Sequence, residues 1–387
     1  MADATILILG GYGETGRRLA RYLLASTTCR ILLAGRDGKK AETLASEFND
    51  SLISDRVAGV QVDASDRDSV RKALQGVSIF IQAGPALPVS VVKGLAEEVL
   101  NAAADWIDIQ LDPSQAAALA TYEERIREEG RCFITQGGFH PGLPAVLIRW
   151  AARHAPQLDT AQVSSFLNQK AGLPFTSGVD ELIEMFRSYE AHMLRHGRWE
   201  KISGSKMADY PKVTFPFGIG KRMTTPMDMD ELKSLTDVIP TIRESGFTIG
   251  GFNWVTNYII SPIIMAGLRA FPFISLRAWG RLFCWSCRAF ARPPYGVVIQ
   301  VKARGHKNGQ EYDLNLALYH DDGYDLTAIP VVATIQQLLD GSVHTPGLYF
   351  QAWLPEPTRM IRDMQKMGVK VLQQITPLNS FVTSAAS

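Results

Sequence analysis

Three glycines stand in the order Gly11-Tyr12-Gly13-Glu14-Thr15-Gly16, a spacing that can hold a phosphate group with backbone alone. The first permits a tight turn, the second carries no Cβ to block a pyrophosphate, and the third lets a helix lie close to a strand. Tyr12, Glu14 and Thr15 fill the places between. The context such a turn needs is present: residues 5–9, Thr-Ile-Leu-Ile-Leu, form an apolar run of strand length before it, and residues 17–25 an amphipathic run after it. A helix starting there would point free N–H groups and a partial positive charge at the phosphates. An ordinary Gly-rich turn is the alternative reading, and it would not require that flanking order.

The next chemistry-bearing residues follow a second apolar run at 30–34, which ends on Gly35-Arg36-Asp37. In a dinucleotide-binding unit this tip meets the adenosine ribose. An acid there selects the 2′-hydroxyl, and an Arg accommodates a 2′-phosphate. Arg36 holds the tip, with Lys39 and Lys40 close behind, so NADP(H) is favoured over NAD(H). The alternative gives the ribose to Asp37 and leaves Arg36 in solvent. Asp63 ends a third strand at 57–62, where it could accept from an adenine amino group or cap the helix starting near Asp66. Ala83, Gly84 and Pro85 end a fourth strand at 77–83, and so small a turn lets ribose and pyrophosphate approach the backbone.

Further along, Gly137-Gly138-Phe139-His140-Pro141-Gly142 follows a strand at 132–136. His140 falls where a nicotinamide would lie, and with an ordinary pKa near 6.5 it could protonate a carbonyl or imine as hydride arrives. Packing or capping the turn is the alternative. To position these groups the chain must bring the ends of several strands to one edge. Six strands, at 5–9, 30–34, 57–62, 77–83, 106–109 and 132–136, alternate with helical stretches, which predicts a doubly wound parallel sheet of the Rossmann type.

Together, the glycine-rich start, the Leu-Ala-Gly-Arg-Asp tip, the Val-Asp-Ala run at Asp63, Gln82-Ala83-Gly84-Pro85 and Gly137-Gly138-Phe139-His140-Pro141-Gly142 resemble the saccharopine dehydrogenase-like (saccharopine reductase) family. The resemblance covers residues 1–154, and it recurs at 241–247 and near Asp340-Gly341 and Pro346-Gly347. It implies an NADP- or NAD-linked oxidoreductase with a substrate domain after the sixth strand and a chain end that returns to the Rossmann domain. Several members reduce an imine between an amino acid and a carbonyl partner. Those members carry an acid before Pro-Gly, where this chain has His140, and a neutral His does not suit an ammonium-bearing substrate.

The 387 residues allow two or three domains. A formal charge of +1 supplies no overall field for phosphates and argues against nucleic acid as the main partner. The four cysteines, and a first strand close to the start, predict a reducing, cytoplasmic setting without disulfides. Cys284 and Cys287 have redox or zinc-knuckle spacing but no second pair nearby, so they are read as two half-buried thiols on an aromatic helix, and no metal is expected.

Residues 1–154 are assigned to the Rossmann domain, 155–324 to an α+β substrate and dimerisation domain with an antiparallel or mixed sheet, and 325–387 to C-terminal helices packing back on the Rossmann domain. Within the second domain, 157–168 reads as a strand, 178–195 as a helix, and 295–304 and 311–319 as a hairpin turned by Asn308-Gly309. The tail from Thr376 is small and polar and is expected to fray.

One stretch does not fit a simple enzyme core. Residues 245–310 contain no Asp or Glu, and 245–268 no charge of either sign. Asn253, Asn257, Pro262 and several glycines argue against a membrane span there. Arg277, Arg281, Arg288 and Arg292 then share a helical face among aromatic residues, which could lie on an anionic membrane or form a core or dimer-interface helix.

The sequence therefore predicts an NADP(H)-linked oxidoreductase acting on a carbonyl, imine or activated alkene of a small molecule. His140 would be proton donor and Arg243 would anchor an anionic substrate group. A homodimer is expected, with peripheral membrane contact through 252–292 left open. A dinucleotide-binding, membrane-surface or lipid-related protein with little or no turnover is the alternative.

Overall fold

The computed structural model describes residues 4–170, 177–187, 191–202 and 210–378. Residues 188–190 of the helix predicted over 178–195, and 379–387 of the tail, lie outside the described residues. Two compact units share the chain, one of Met1–Leu143 with Tyr324–Met367, the other of Pro144–Gly323 with Gly368–Ser387. Both assignments differ from the sequence reading: the first boundary falls before residue 144 instead of after 154, and the last strand belongs to the second unit.

The first unit opens with β1 (Thr5–Leu9), α1 (Glu14–Ser26), β2 (Arg30–Gly35), α2 (Gly38–Leu52), β3 (Val57–Gln61), α3 (Arg67–Ala73), β4 (Ile79–Gln82) and α4 (Val89–Asn101). It continues through β5 (Asp105–Asp108), α5 (Pro113–Ala120), α6 (Glu123–Glu128) and β6 (Cys132–Thr135). The helical stretch between β5 and β6 thus holds two helices, α5 and α6.

The second unit contains α7 (Pro144–His154), β7 (Gln157–Asn168), α8 (Ser177–Arg187), β8 (His192–Arg195), β9 (Arg198–Lys201), β10 (Lys212–Phe215), β11 (Gly220–Met223) and β12 (Thr225–Pro226). After α9 (Leu235–Val238) come β13 (Glu244–Gly251), α10 (Ser261–Ala270), α11 (Leu276–Ala289), β14 (Gly296–Lys307) and β15 (Gln310–His320). The chain then gives α12 (Gly323–Leu339), β16 (Gly347–Phe350) and α13 (Pro357–Lys366) to the first unit, and β17 (Lys370–Pro377) to the second.

The first sheet runs β16-β6-β5-β4-β1-β2-β3 with every pair parallel. Six strands were expected, and β16 is a seventh, too short and too far along the chain to be read with the others. Alternation in β1 accounts for the layers. Ile6 and Ile8 enter a core shared with α1, α2 and α12, while Leu7 and Leu9 enter a second core with Phe80, Leu95 and Trp106. Helices on both faces are what an all-parallel sheet requires, and they explain an apolar run with no polar alternation.

The second sheet is mixed. Its order is β17-β15-β14-β7-β13-β8-β9, with β12 paired to β13, and only β7 and β13 run parallel. Residues 192–195, expected to end a helix, form β8 and pair with β9. Asn308 and Gly309 turn β14 into β15 with φ of 54° and 78°, as a two-residue hairpin turn demands.

Candidate cofactor and active site

The strand order reverses between β1 and β4, and the crevice outside their carboxyl ends is where such sheets bind ligands. Gly10 turns the chain there with φ +84°, and a Cβ on it would lie 2.6 Å from Gly84 Cα. The tight turn therefore falls on Gly10, which the sequence reading omitted, and not on Gly11. Gly11 is required instead by β2, since its Cβ would stand 2.9 Å from Leu33 Cα. Gly16 lies against the turn itself: a Cβ on it would press to 2.2 Å on Gly10 O. The signal for Gly10 was the doubled glycine, Gly10-Gly11.

Gly13 is the N-cap of α1 and carries no capping side chain, so the first turn of Glu14, Thr15 and Gly16 opens on the crevice side with the positive end of a helix of 13 residues. Gly84 faces the same turn, yet a Cβ on it would meet nothing closer than 3.8 Å. Protein packing does not demand glycine there, and the bare backbone leaves open space beside the turn. The residues present thus fit a pyrophosphate. Ala83 N donates to Leu9 O at 2.9 Å, and the exposed Pro85 follows Gly84 out of the sheet.

Beyond the tip of β2 lies an open recess of about 720 Å³ lined by Tyr12, Arg36, Asp37, Gly38, Lys39, Lys40 and Gln61. Tyr12 shapes it. Its ring covers Gly35, where a Cβ would come within 2.5 Å of the ring, and its hydroxyl accepts from Asp37 N at 3.2 Å. Asp37 is the N-cap of α2, with Oδ1 accepting from Lys40 N at 3.1 Å and Oδ2 3.4 Å from Lys40 Nζ. The Lys40 amide, helped by the Lys40 ammonium, holds the Asp37 carboxyl below its usual range. Arg36 and Lys39 are exposed beside it. Glu14 is paired within its own helix to Arg18 at 2.7 Å. Asp63 is exposed and accepts from Ser65 N at 2.9 Å, whereas Asp66 caps α3 through Asp68 N and Ser69 N. The capping alternative for Asp63 is corrected accordingly.

The turn bearing His140 is held from below by a buried carboxylate. Asp108, at the end of β5, accepts at Oδ1 from Gln110 N, Thr135 Oγ1 and Gln136 N, each at 3.1 Å, and at Oδ2 from Trp106 Nε1 at 2.9 Å. Burial pushes its carboxyl up, and these donors oppose that shift. Gln110 in turn donates from Nε2 to Gly84 O at 3.0 Å. One hydrogen-bonded chain therefore ties the Gly84 turn to the turn after β6. The sequence reading missed Asp108 and Gln110, whose signal was polar residues ending a strand inside an otherwise apolar sheet.

Within that turn, Gly138 and Gly142 have φ of +121° and +116°, and a Cβ on Gly142 would lie 2.7 Å from Gly138 O. Gln351, just after β16, accepts from Gly138 N at 3.3 Å. His140 packs its ring 3.9 Å from that of Phe139; its Nε2 is sealed from solvent although the residue keeps an exposed edge. Burial lowers its pKa to about 4, so the expectation of a group near 6.5 is corrected and the imidazole is neutral at pH 7.

Arg243 lies in the second unit, exposed at the start of β13. Its backbone bonds Asp159 O at 2.8 Å and Gly197 N at 2.9 Å, and its guanidinium lies beside Gly197 in the β8–β9 turn. It does not line the recess at the tip of β2. A smaller recess of about 240 Å³ in this unit is lined by Trp199, Met227, Leu232, Lys233 and Phe247, with His192 Nδ1 2.8 Å from Asp228 Oδ2. Cys284 and Cys287 are buried free thiols raised by burial, Cys287 to about 12. Among the described residues, no group of three or more His, Cys, Asp or Glu could hold a metal.

Sheet order, glycine turn and tip define a NAD(P)-binding fold coupled to a mixed-sheet unit, and this is the saccharopine dehydrogenase fold. The chain superposes on apo saccharopine dehydrogenase (L-Glu forming) from Saccharomyces cerevisiae with a TM-score of 0.69, 15% identity, and coverage of 96% of this chain and 100% of that one. A family model for the KR domain matches residues 4–83. Carboxyaminopropylagmatine dehydrogenase of Synechocystis sp. is 24% identical over 257 residues, 64% of this chain and 62% of that protein. Carboxynorspermidine synthase of Vibrio cholerae is 24% identical over 222 residues, 53% of this chain and 51% of that protein. The chain thus spans between half and two thirds of the length of these two relatives.

Proposed function

We propose that this protein is an NADP(H)-dependent oxidoreductase that moves a hydride to or from a carbonyl, imine or activated alkene of a small molecule. The observation that carries the reading is the recess at the tip of β2, where Arg36, Lys39 and Lys40 gather while the Asp37 carboxylate is engaged as a helix cap. A 2′-phosphate matches that charge, and a ribose diol would need the acid that the helix has taken. Bound NADP(H) would supply or accept the hydride. Gly13 and the first turn of α1 would hold its pyrophosphate, and Ala83, Gly84 and Pro85 would leave room for its second ribose.

His140 enters as a neutral ring, polarising a substrate oxygen or nitrogen by a hydrogen bond without delivering a proton from imidazolium. Arg243 remains the candidate anchor for an anionic substrate group. The names of the two relatives make carboxylated amines the first compounds to screen, followed by carbonyl compounds. Free, buried cysteines suit a reducing compartment such as the cytoplasm, and a homodimer is the expected assembly.

Calorimetric titration with NADPH and NADH tests the reading. Binding of NADPH at least about tenfold tighter than NADH, with the difference abolished by Arg36→Ala, is expected. Binding of neither dinucleotide overturns it. Equal binding overturns the 2′-phosphate assignment, and a loss below about tenfold in kcat/KM on His140→Ala removes His140 from the chemistry.

A further inference from the structure

We propose that the helical segment from Trp254 to Phe290 is a docking surface for an anionic lipid bilayer. The inference is independent of the dinucleotide reading, because it stands on the second unit alone.

The segment has already closed its own core. Ile264 and Leu268 of α10, Phe283, Cys284 and Cys287 of α11, and Ile183 of α8 pack into one small apolar cluster. Large apolar side chains nevertheless remain outside it. Of the thirteen large hydrophobic residues exposed among the described residues, eight fall between 254 and 290. Trp254 is 64% exposed, Phe273 81% and Trp285 55%, with Tyr258, Ile263 and Phe271 also outward. Single exposed apolar residues are ordinary, but a concentration of this kind marks a surface that something else covers.

Charge selects what covers it. Arg269, Arg277, Arg281 and Arg288 are exposed on the same two helices, and no Asp or Glu occurs from 245 to 310. On α11 the exposed stripe reads Arg277, Arg281, Trp285, Arg288, so a tryptophan stands between cations at helical spacing. Arg277 lies 3.7 Å from Asp180 of α8. Trp and Tyr with an apolar body and a polar tip, among arginines, match the level of lipid headgroups, and anionic headgroups match the cations. A second copy of this chain fits less well, because a two-fold interface would set the arginine stripe against itself. Among the described residues no helix is long and apolar enough to cross a membrane, so the segment would lie on the bilayer surface.

The test is flotation of the full-length protein with phosphatidylcholine vesicles, with and without phosphatidylserine. The expected result is flotation with the anionic vesicles, weakened by salt, and about tenfold less partitioning to neutral ones. Trp254→Ala with Phe273→Ala, and separately Arg281→Glu with Arg288→Glu, should each cut partitioning by about tenfold or more. Their thermal midpoints should match the parent, since all four residues are exposed. No flotation with either vesicle overturns the proposal, as does flotation unchanged in both double variants. Self-association in ultracentrifugation that the same substitutions abolish, without flotation, would overturn it in favour of a subunit interface.

Discussion

Residues 5–9 and 254–268 are both apolar and uncharged, yet their side chains meet opposite fates. In β1, Ile6, Leu7, Ile8 and Leu9 are all buried because helices cover both faces of the sheet. In 254–268 the large apolar side chains of Ile264 and Leu268 are buried, with Thr256 and Gly267, and Trp254, Tyr258 and Ile263 point outward. Hydropathy alone does not separate these cases. The fold of the first unit consumes its apolar residues and leaves polar backbone at the sheet edge for a ligand, whereas the helical segment of the second keeps apolar surface beyond what its fold uses.

Truncation at the buried end should have the largest effect. Ile8→Ala removes a fully buried side chain between β2, β4 and the helices, and a cost of about 4 kcal/mol in urea unfolding is expected. A cost below about 1 kcal/mol would mean that the layers can collapse onto the gap, and the contrast with the exposed segment would fail. Next comes Gly10→Ala, which forces a side chain into φ +84° against Gly84 at 2.6 Å. About 2 to 3 kcal/mol is expected, together with loss of NADPH binding, because the β1 and β4 turns must part. Calorimetry and unfolding on the same variant check both.

How much of this was legible follows from the distance over which each signal acts. The β1 strand, the presence of a glycine turn after it, though not the glycine that makes it, and the position of Arg36 at the end of β2 could be read because each rests on residues within a few positions, and the Asn308-Gly309 hairpin likewise. Strand β16 could not, since Gly347–Phe350 is four residues long and becomes a strand only by pairing with β6, far back in the chain. Asp108 and Gln110 escaped for the same reason: their meaning lies in Gln136 and Gly84, which only the folded sheet brings to them. The pKa of His140 was misjudged because burial, set by the turn and not by sequence neighbours, decides it.

That burial gives a smaller, pH-dependent effect. In the folded chain His140 titrates near 4 and in the unfolded chain near 6.5, so the unfolded state binds more protons between those values. Stability from this group is complete above about pH 6.5 and is lost as pH falls toward 4. The limit is about 3 kcal/mol, and the exposed edge of the residue reduces the expected loss to about 2. Urea unfolding at pH 7 and at pH 4.5 should show His140→Asn losing less stability on acidification than the parent. Equal losses would mean that the ring is hydrated and no more buried than a surface histidine.

The smallest predicted change in stability is the most telling for the comparison. Phe273 is 81% exposed, and its ring meets that of Phe271 with centroids 6.0 Å apart. Phe273→Ser removes about as much apolar surface as Ile8→Ala or more, but in the isolated protein that surface already faces water. The transfer term that makes Ile8 costly is therefore absent, and unfolding should shift by no more than about 0.5 kcal/mol. A cost near 2 kcal/mol would show that Phe273 is packed, and the outward apolar surface would lose its strongest member. A neutral result separates Ile8, which the fold uses, from Phe273 in the segment between Trp254 and Phe290, whose apolar surface the fold of the isolated protein does not use.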